Sequence, residues 1–333
     1  MSDPRSWRAT YLQLLSVPAT TADLATLAAL HRAHMERVPY STLEMVLRRR
    51  TPADVESSVA RVLERRGGYC FHLNAAFGWL LTELGYAVTH HRAGVQGRSA
   101  REPVGADGTH LALTVDLGRE GRWLVDVGLG SALHGPLPLR PGVVRDGDLD
   151  LRLRPSEVVA GGWRLDHDPR ALSFVGVDID PAPVTLAEGL EHHERLSWSP
   201  KSPFVRRLSV QRRHARGLDA LTGLGLRRIE LGSETYRVLS SAEELEEVLH
   251  DVFGLDPGRA GITPAELERV VEQQSSHEAP DTRRNPPPGI TGGSVTHGVV
   301  HRSAGAVSRR SRRRRLPGRM VPGRRGPRRG RSA

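Results

Sequence analysis

The chain is poor in the residues that build cross-links and cages. Its 333 residues include a single cysteine, Cys70. One thiol excludes an intramolecular disulfide and a structural zinc site built on several thiolates, and it fits a reducing cytoplasm. Lysine is equally scarce: Lys201 stands alone, so arginine supplies nearly all the positive charge. No apolar run reaches the roughly 18–20 residues that a membrane helix needs, so no span is expected. Met1 to Trp7 is polar and contains an acid, unlike a signal peptide. These features together predict a cytoplasmic protein that needs no membrane.

The net charge of +10 is not spread evenly. Ala279 to Ala333 carries 15 Arg against one acid, Asp281, and so holds +14; the other 278 residues hold −4. That tail is rich in Pro, Gly, Ser and Arg and has no apolar period. It cannot bury enough surface to offset its ordering entropy, and residues 277–333 are expected to be a disordered basic tail. Its charge would suit nucleic acid or an anionic surface, but no aromatics interleave with the arginines as single-strand binding requires.

Upstream, periodicity first reads helical. Thr21 would cap a helix with the apolar face Leu24, Leu27, Leu30 and Met35, ending before Val38-Pro39. His31 and His34 on it are expected to be surface or satisfied polar residues. Leu43, Val46 and Leu47 extend the apolar patch. Thr51-Pro52-Ala53-Asp54 is a helix start ahead of the stripe Val55, Val59, Val62 and Leu63. Gly67-Gly68 then breaks the pattern. A new one starts at Cys70, with Leu73, Phe77, Leu80, Leu81 and Leu84 at helical spacing and Gly85 at the C-terminal cap. Residues 1–86 thus read as a helical bundle presenting Cys70 in a first helical turn. Unpaired N–H groups there favour an anion, and the thiolate is the nucleophilic form of cysteine.

The period then becomes two. His110 to Leu117 alternates like a half-buried strand, Gly118-Arg119-Glu120-Gly121 turns, and Trp123 to Val127 returns. A three-residue turn at 119–121 sets His110 opposite Gly130, roughly 13 Å from Asp126, too far for contact unless the register shifts or bulges. Strand-like runs follow at Val158–Leu165, Leu172–Val177 and Phe204–Arg212, so residues 87–195 read as an antiparallel, barrel-like β domain. Residues 196–276 mix strands (229–231, 236–239) with helices opened by Ser241 and by Thr263-Pro264.

A thiol, an imidazole and a carboxylate in the order 70, 110, 126 are the parts of a thiol acyl-transfer triad. The blocks that hold them resemble the arylamine N-acetyltransferases. Arg66-Gly67-Gly68-Tyr69-Cys70-Phe71 with Asn74 is similar to that family's nucleophile motif, Thr109-His110 to its histidine segment, and Trp123 to Gly130 followed by Gly135 to Leu139 to its aspartate segment. Val38-Pro39-Tyr40, Ser202 to Val205, Val210 to Arg213 and Val248 to Gly254 match in order, over most of residues 1–276. The resemblance implies an α+β, three-part, cysteine-protease-like acyltransferase fold: N-terminal helical bundle, central antiparallel β-barrel and C-terminal α/β lid. It implies Cys70, His110 and Asp126 in contact, and a ping-pong reaction passing an acetyl group from acetyl-CoA through Cys70 to an arylamine or arylhydrazine, with no metal. Thr109, Gly128, Leu129 and Phe204 would then lie around the acyl and acceptor pocket, and Phe71 would offer a backbone N–H to the oxyanion. The chain departs from the pattern at His72 (usually Glu), Ser41-Thr42 (usually Glu-Asn) and Leu129 (usually Phe). His72 is expected to be an exposed first-turn residue.

Rival readings are an amide synthase closing a macrolactam from a carrier-protein-bound acyl chain, a cysteine hydrolase, and a nucleic-acid-binding protein acting through the tail alone.

Overall fold

The computed structural model describes residues 4–18, 21–146, 149–169, 174–230 and 232–278. The described residues belong to one compact unit; the expected basic tail beyond Glu278 lies outside the described residues.

The first part is helical: α1 (Pro4–Leu15), α2 (Leu24–Arg37), the two-residue strand β1 (Tyr40–Ser41), then α3 (Leu43–Val46), α4 (Val55–Leu63) and α5 (Cys70–Glu83). The cap of α2 is Asp23, not Thr21, because the Asp23 carboxylate accepts from the Thr26 N–H at 2.8 Å while Thr21 donates its hydroxyl to Asp23. Asp54 likewise displaces Thr51 as the cap of α4 by accepting from Ser57 N–H. In both cases a carboxylate two or three residues further on is the stronger acceptor for first-turn amides. The end of α5 follows the sequence signal: Gly85 has φ +87° and Tyr86 N–H reaches back to the Leu81 carbonyl at 3.0 Å. His31 and His34 are fully buried, not at the surface, with both rings against Phe77 of α5. Burial lowers the pKa of His31 to about 4 and that of His34 to about 3, so both sit in the core as neutral rings.

The second part is an eight-stranded antiparallel, barrel-like sheet. Its strands are β2 (Ala87–Gly97), β3 (His110–Asp116), β4 (Arg122–Leu124), β5 (Leu137–Pro138), β6 (Gly142–Asp146), β7 (Leu149–Pro155), β8 (Trp163–Asp166) and β9 (Phe174–Val184), in the order β5-β4-β3-β2-β9-β8-β7-β6. Register shifts between β2 and β9 add curvature. Strand β3 is buried on both faces rather than half-buried. Leu113 and Val115 pack on the bundle while Ala112 joins the barrel interior, because α5 covers one side and the curled sheet the other.

After α6 (Leu186–Gly189), α7 (His193–Trp198) and α8 (Pro203–Arg206) comes the mixed part. Strands β10 (Ser209–His214), β11 (Gly217–Thr222), β12 (Gly225–Glu230) and β13 (Ser233–Val238) form a five-stranded sheet with β1, closed off by α9 (Ala242–Glu247), a wide turn at Val248–Val252 and α10 (Pro264–Glu278). The expected strand Phe204–Arg212 is thus half helix. Ser202 caps α8 and Pro203 takes its first position, which outweighs the β preference of Phe204 and Val205. The run Val158–Leu165 is mostly turn, since Ser156 binds the N–H groups of Val158 and Val159 and only Trp163 onward enters the sheet. Of the runs Leu172–Val177 and Ile229–Leu231, residues 172, 173 and 231 lie outside the described residues. Among the described residues, no helix is long and apolar enough to cross a membrane.

Candidate active site

The loop Arg65-Arg66-Gly67-Gly68 carries the chain from α4 to Cys70. Gly67 has φ +63°, and a Cβ there would stand 2.7 Å from the Pro39 carbonyl oxygen, so only glycine fits. Gly68 accepts from Ser41 N–H at 2.8 Å, which ties the loop to strand β1. Glu44, buried in α3, binds Arg66 Nη2 at 2.7 Å and Arg61 Nη2 at 3.1 Å, while Arg61 Nε donates to the Gly67 carbonyl. Burial alone would raise the Glu44 pKa, but the two guanidinium groups hold it below the usual carboxylate range.

Cys70 opens α5 and is 3% exposed. It packs among Met45, Tyr69, Phe71, Leu111 and Val205, and the members of this cluster that keep some surface include Tyr40 and Phe204. Its sulfur points to the Thr109 carbonyl at 4.0 Å, and Thr109 is itself held by Asp107. His110, the first residue of β3, directs Nε2 at Asp126 Oδ2 across 2.6 Å with both side chains buried. Nδ1 is the ring nitrogen that Asp126 does not engage. Burial pushes the imidazolium down, yet the Asp126 charge and hydrogen bond, with Cys70 adding to them, raise the His110 pKa to about 10.

The hairpin signal alone did not produce this contact. The observed register pairs Asp116 with Arg122 and Thr114 with Leu124. Continued, it would put His110 opposite Gly128, still two residues from Asp126. The ladder does not continue: β4 ends at Leu124, short of the expected Val127, and its last bond is Val125 N–H to the Leu113 carbonyl. Asn74 then takes the place of the ladder. Its Nδ2 donates to the Leu111 carbonyl at 2.5 Å and to Asp126 Oδ1 at 2.8 Å, and its Oδ1 accepts from Val127 N–H at 3.0 Å. One side chain one turn after Cys70 thus swings the Asp126 segment inward.

Gly128 donates its N–H to Asp126 Oδ1 at 2.8 Å, and a Cβ on it would stand 2.7 Å from Cys70 Cα. Phe71 is fully buried, and its N–H lies in the first turn, where no helical carbonyl can reach it. Leu129 packs into the barrel core with Leu124, Leu133 and Phe174 rather than with the cluster around Cys70. His72 is fully buried, not exposed. Its Nδ1 accepts from Tyr69 N–H at 3.4 Å and its Nε2 donates to the Thr51 carbonyl at 3.0 Å, so a neutral ring stands where the family pattern has Glu. Sequence reasoning gave no role to Asn74, Glu44 or Arg61. The signal for Asn74 was its place four residues after Cys70, on the same helical face. Among the described residues, no group of three or more His, Cys, Asp or Glu is arranged to hold a metal ion.

The fold is that of an N-acetyltransferase, and the N-acetyltransferase family model matches residues 23–261. The chain is 35% identical over 270 residues to the arylamine N-acetyltransferase of Escherichia coli, covering 78% of this chain and 92% of that one. It belongs to the arylamine N-acetyltransferase family. The solved structure of Mycobacterium marinum arylamine N-acetyltransferase in complex with CoA superimposes with a TM-score of 0.72 and 25% identity, over 80% of this chain and 98% of that one. Proansamycin X synthase of Amycolatopsis mediterranei is 40% identical over 142 residues, which is 40% of this chain and 53% of that protein's length.

Proposed function

We propose that the chain moves an acetyl group from acetyl-CoA to an arylamine or arylhydrazine through a thioester on Cys70. The observation that carries this reading is the buried 2.6 Å bond between His110 and Asp126, with the other face of the imidazole turned to the only sulfur able to act as a nucleophile.

The chemistry follows from the protons. With its pKa near 10, His110 is imidazolium at neutral pH, and Asp126 keeps it oriented. The Cys70 sulfur attacks the acetyl carbonyl, and the oxyanion that forms lies toward the Phe71 N–H at the positive end of α5. Collapse breaks the carbon–sulfur bond to CoA, and His110 gives its proton to the departing CoA sulfur. In the second half the amine nitrogen attacks the Cys70 thioester. His110, now neutral, takes the proton that nitrogen sheds, and the Cys70 sulfur leaves. Thr109 and Gly128, which adjoin Cys70, and Phe204, which packs on Tyr69 beside it, bound the acyl and acceptor pocket; Leu129 acts from behind, through the barrel core. The reaction needs no metal and suits the cytoplasm, where a lone thiol stays reduced.

Mass spectrometry of the protein mixed with acetyl-CoA and no acceptor tests the first half. One acetyl mass is expected on the peptide holding Cys70, and none in Cys70→Ala. A relative named for synthesis rather than transfer, proansamycin X synthase, favours a second reading: an amide synthase taking a longer acyl chain from a carrier protein. Faster loading of Cys70 from a long-chain acyl-pantetheine than from acetyl-CoA would select it.

A further inference from the structure

His72 is two residues past the nucleophile, yet its ring faces away from Cys70 into the protein. It bridges two backbone segments. The Thr51 carbonyl, in the stretch leading to α4, can only accept, so Nε2 carries the proton; Tyr69 N–H can only donate, so Nδ1 is bare. The ring fits because Gly68 has no side chain: a Cβ there would stand 2.8 Å from that of His72. It packs against Tyr69 and His193, with centroids 5.1 and 5.4 Å away, and Tyr69 shares a 2.7 Å bond with His193 of α7.

We infer that His72 is the positioning residue for the acylation step, its neutral ring clamping the Tyr69-Cys70 peptide so that the sulfur and the Phe71 N–H keep their places opposite His110. This rests on the acyl-transfer reading above. Both bonds need one protonation state. A second proton would set N–H against N–H at Tyr69 and release the clamp. The groups facing the ring resist that proton. Burial and then the Arg61 guanidinium of α4 hold its pKa well below the usual histidine value, the Thr51 carbonyl opposes them, and His193 of α7 and Arg66 of the loop add to the depression. Glu44, which could draw a proton in, is engaged by Arg61 and Arg66.

The test compares the unsubstituted protein with His72→Leu and His72→Asn, using two readouts across pH 4.5 to 8. These are single-turnover acetylation of Cys70 by acetyl-CoA and alkylation of Cys70 by iodoacetamide. His72→Leu, which loses both bonds, is expected to slow both by about tenfold to a hundredfold without raising the acetyl-CoA concentration for half-saturation. His72→Asn keeps an acceptor at the Nδ1 position and cannot titrate. It is expected to recover most of the rate, with a pH profile that matches the histidine protein's across this range, because the histidine ring stays neutral there. A His72→Leu protein as fast as the unsubstituted one overturns the inference. So does a folded His72→Asn protein no faster than His72→Leu. Acetylation absent even from the unsubstituted protein overturns the acetyl-donor reading instead, and the order of alkylation rates then decides His72.

Discussion

Asp126 engages both carboxylate oxygens. Oδ2 takes His110, and Oδ1 takes Asn74 Nδ2 and the Gly128 N–H. Asp126→Asn would keep the shape but face donors with an NH2 group on one side and remove the charge that holds the His110 proton. Turnover is expected to drop by about three to four orders of magnitude with the circular dichroism spectrum unchanged, and a near-normal kcat would remove Asp126 from the chemistry. The same pair has a signature in stability. His110 binds its proton up to about pH 10 when folded and near 6.5 when unfolded, so the contribution is complete below about 6.5 and fades as pH climbs through about 10. The melting temperature of His110→Gln is expected to trail that of the unsubstituted protein most at pH 6 and least at pH 10.5; a gap that widens with pH would contradict the assignment.

At the scale of elements, the start of α5 was plain from sequence. Leu73, Phe77, Leu80 and Leu81 recur at the helical period and all become core. So was the passage from helices to sheet, because the apolar period changes from 3.6 to 2 near residue 87. The meeting of His110 with Asp126 was not legible in period and turn length; only the family resemblance implied it. It depends on Asn74, 52 positions from Asp126 in sequence, ending a ladder that period and turn length said would run on. A side-chain bond at that separation leaves no periodic trace. Helix α8 was missed for a different reason: its Ser202-Pro203 start is a readable cap, but two β-favouring residues follow it. The Asp126 segment also makes a steric prediction. Gly128→Ala would drive a methyl group into Cys70 Cα and Asn74 Nδ2, both under 3 Å from the new carbon. A loss of about 1–3 kcal/mol in denaturant titrations is expected, together with near-complete loss of acetylation. Ordinary activity in that variant would show that the backbone has room the structure denies.

At the scale of the whole molecule, charge and catalysis separate along the chain. Residues 1–278 carry −4 and hold every site residue; the following 55 carry +14. Among the described residues, helix α10 is the last element that contributes to the core: Leu267 and Val270 are buried, and Gln274 holds the Leu208 N–H and the Arg206 carbonyl. Truncation after Glu278 is therefore expected to leave kcat and melting temperature within about twofold and a few degrees, and to abolish any salt-sensitive retention on heparin. Loss of acetyl transfer on that truncation would give the basic segment a catalytic part. Cutting instead before α10 removes the support of the C-terminal sheet and is expected to leave the protein insoluble.

Strand β1 has a consequence for how this protein is made. Tyr40 and Ser41 lean on Gly68 just ahead of Cys70, but on their other side they pair with Gln211 and Val210 of β10. On the ribosome, a nascent chain that has released only the bundle and barrel therefore holds β1 without the strand it pairs with. Working geometry arrives late in synthesis, once residues 209–214 have left the exit tunnel and docked.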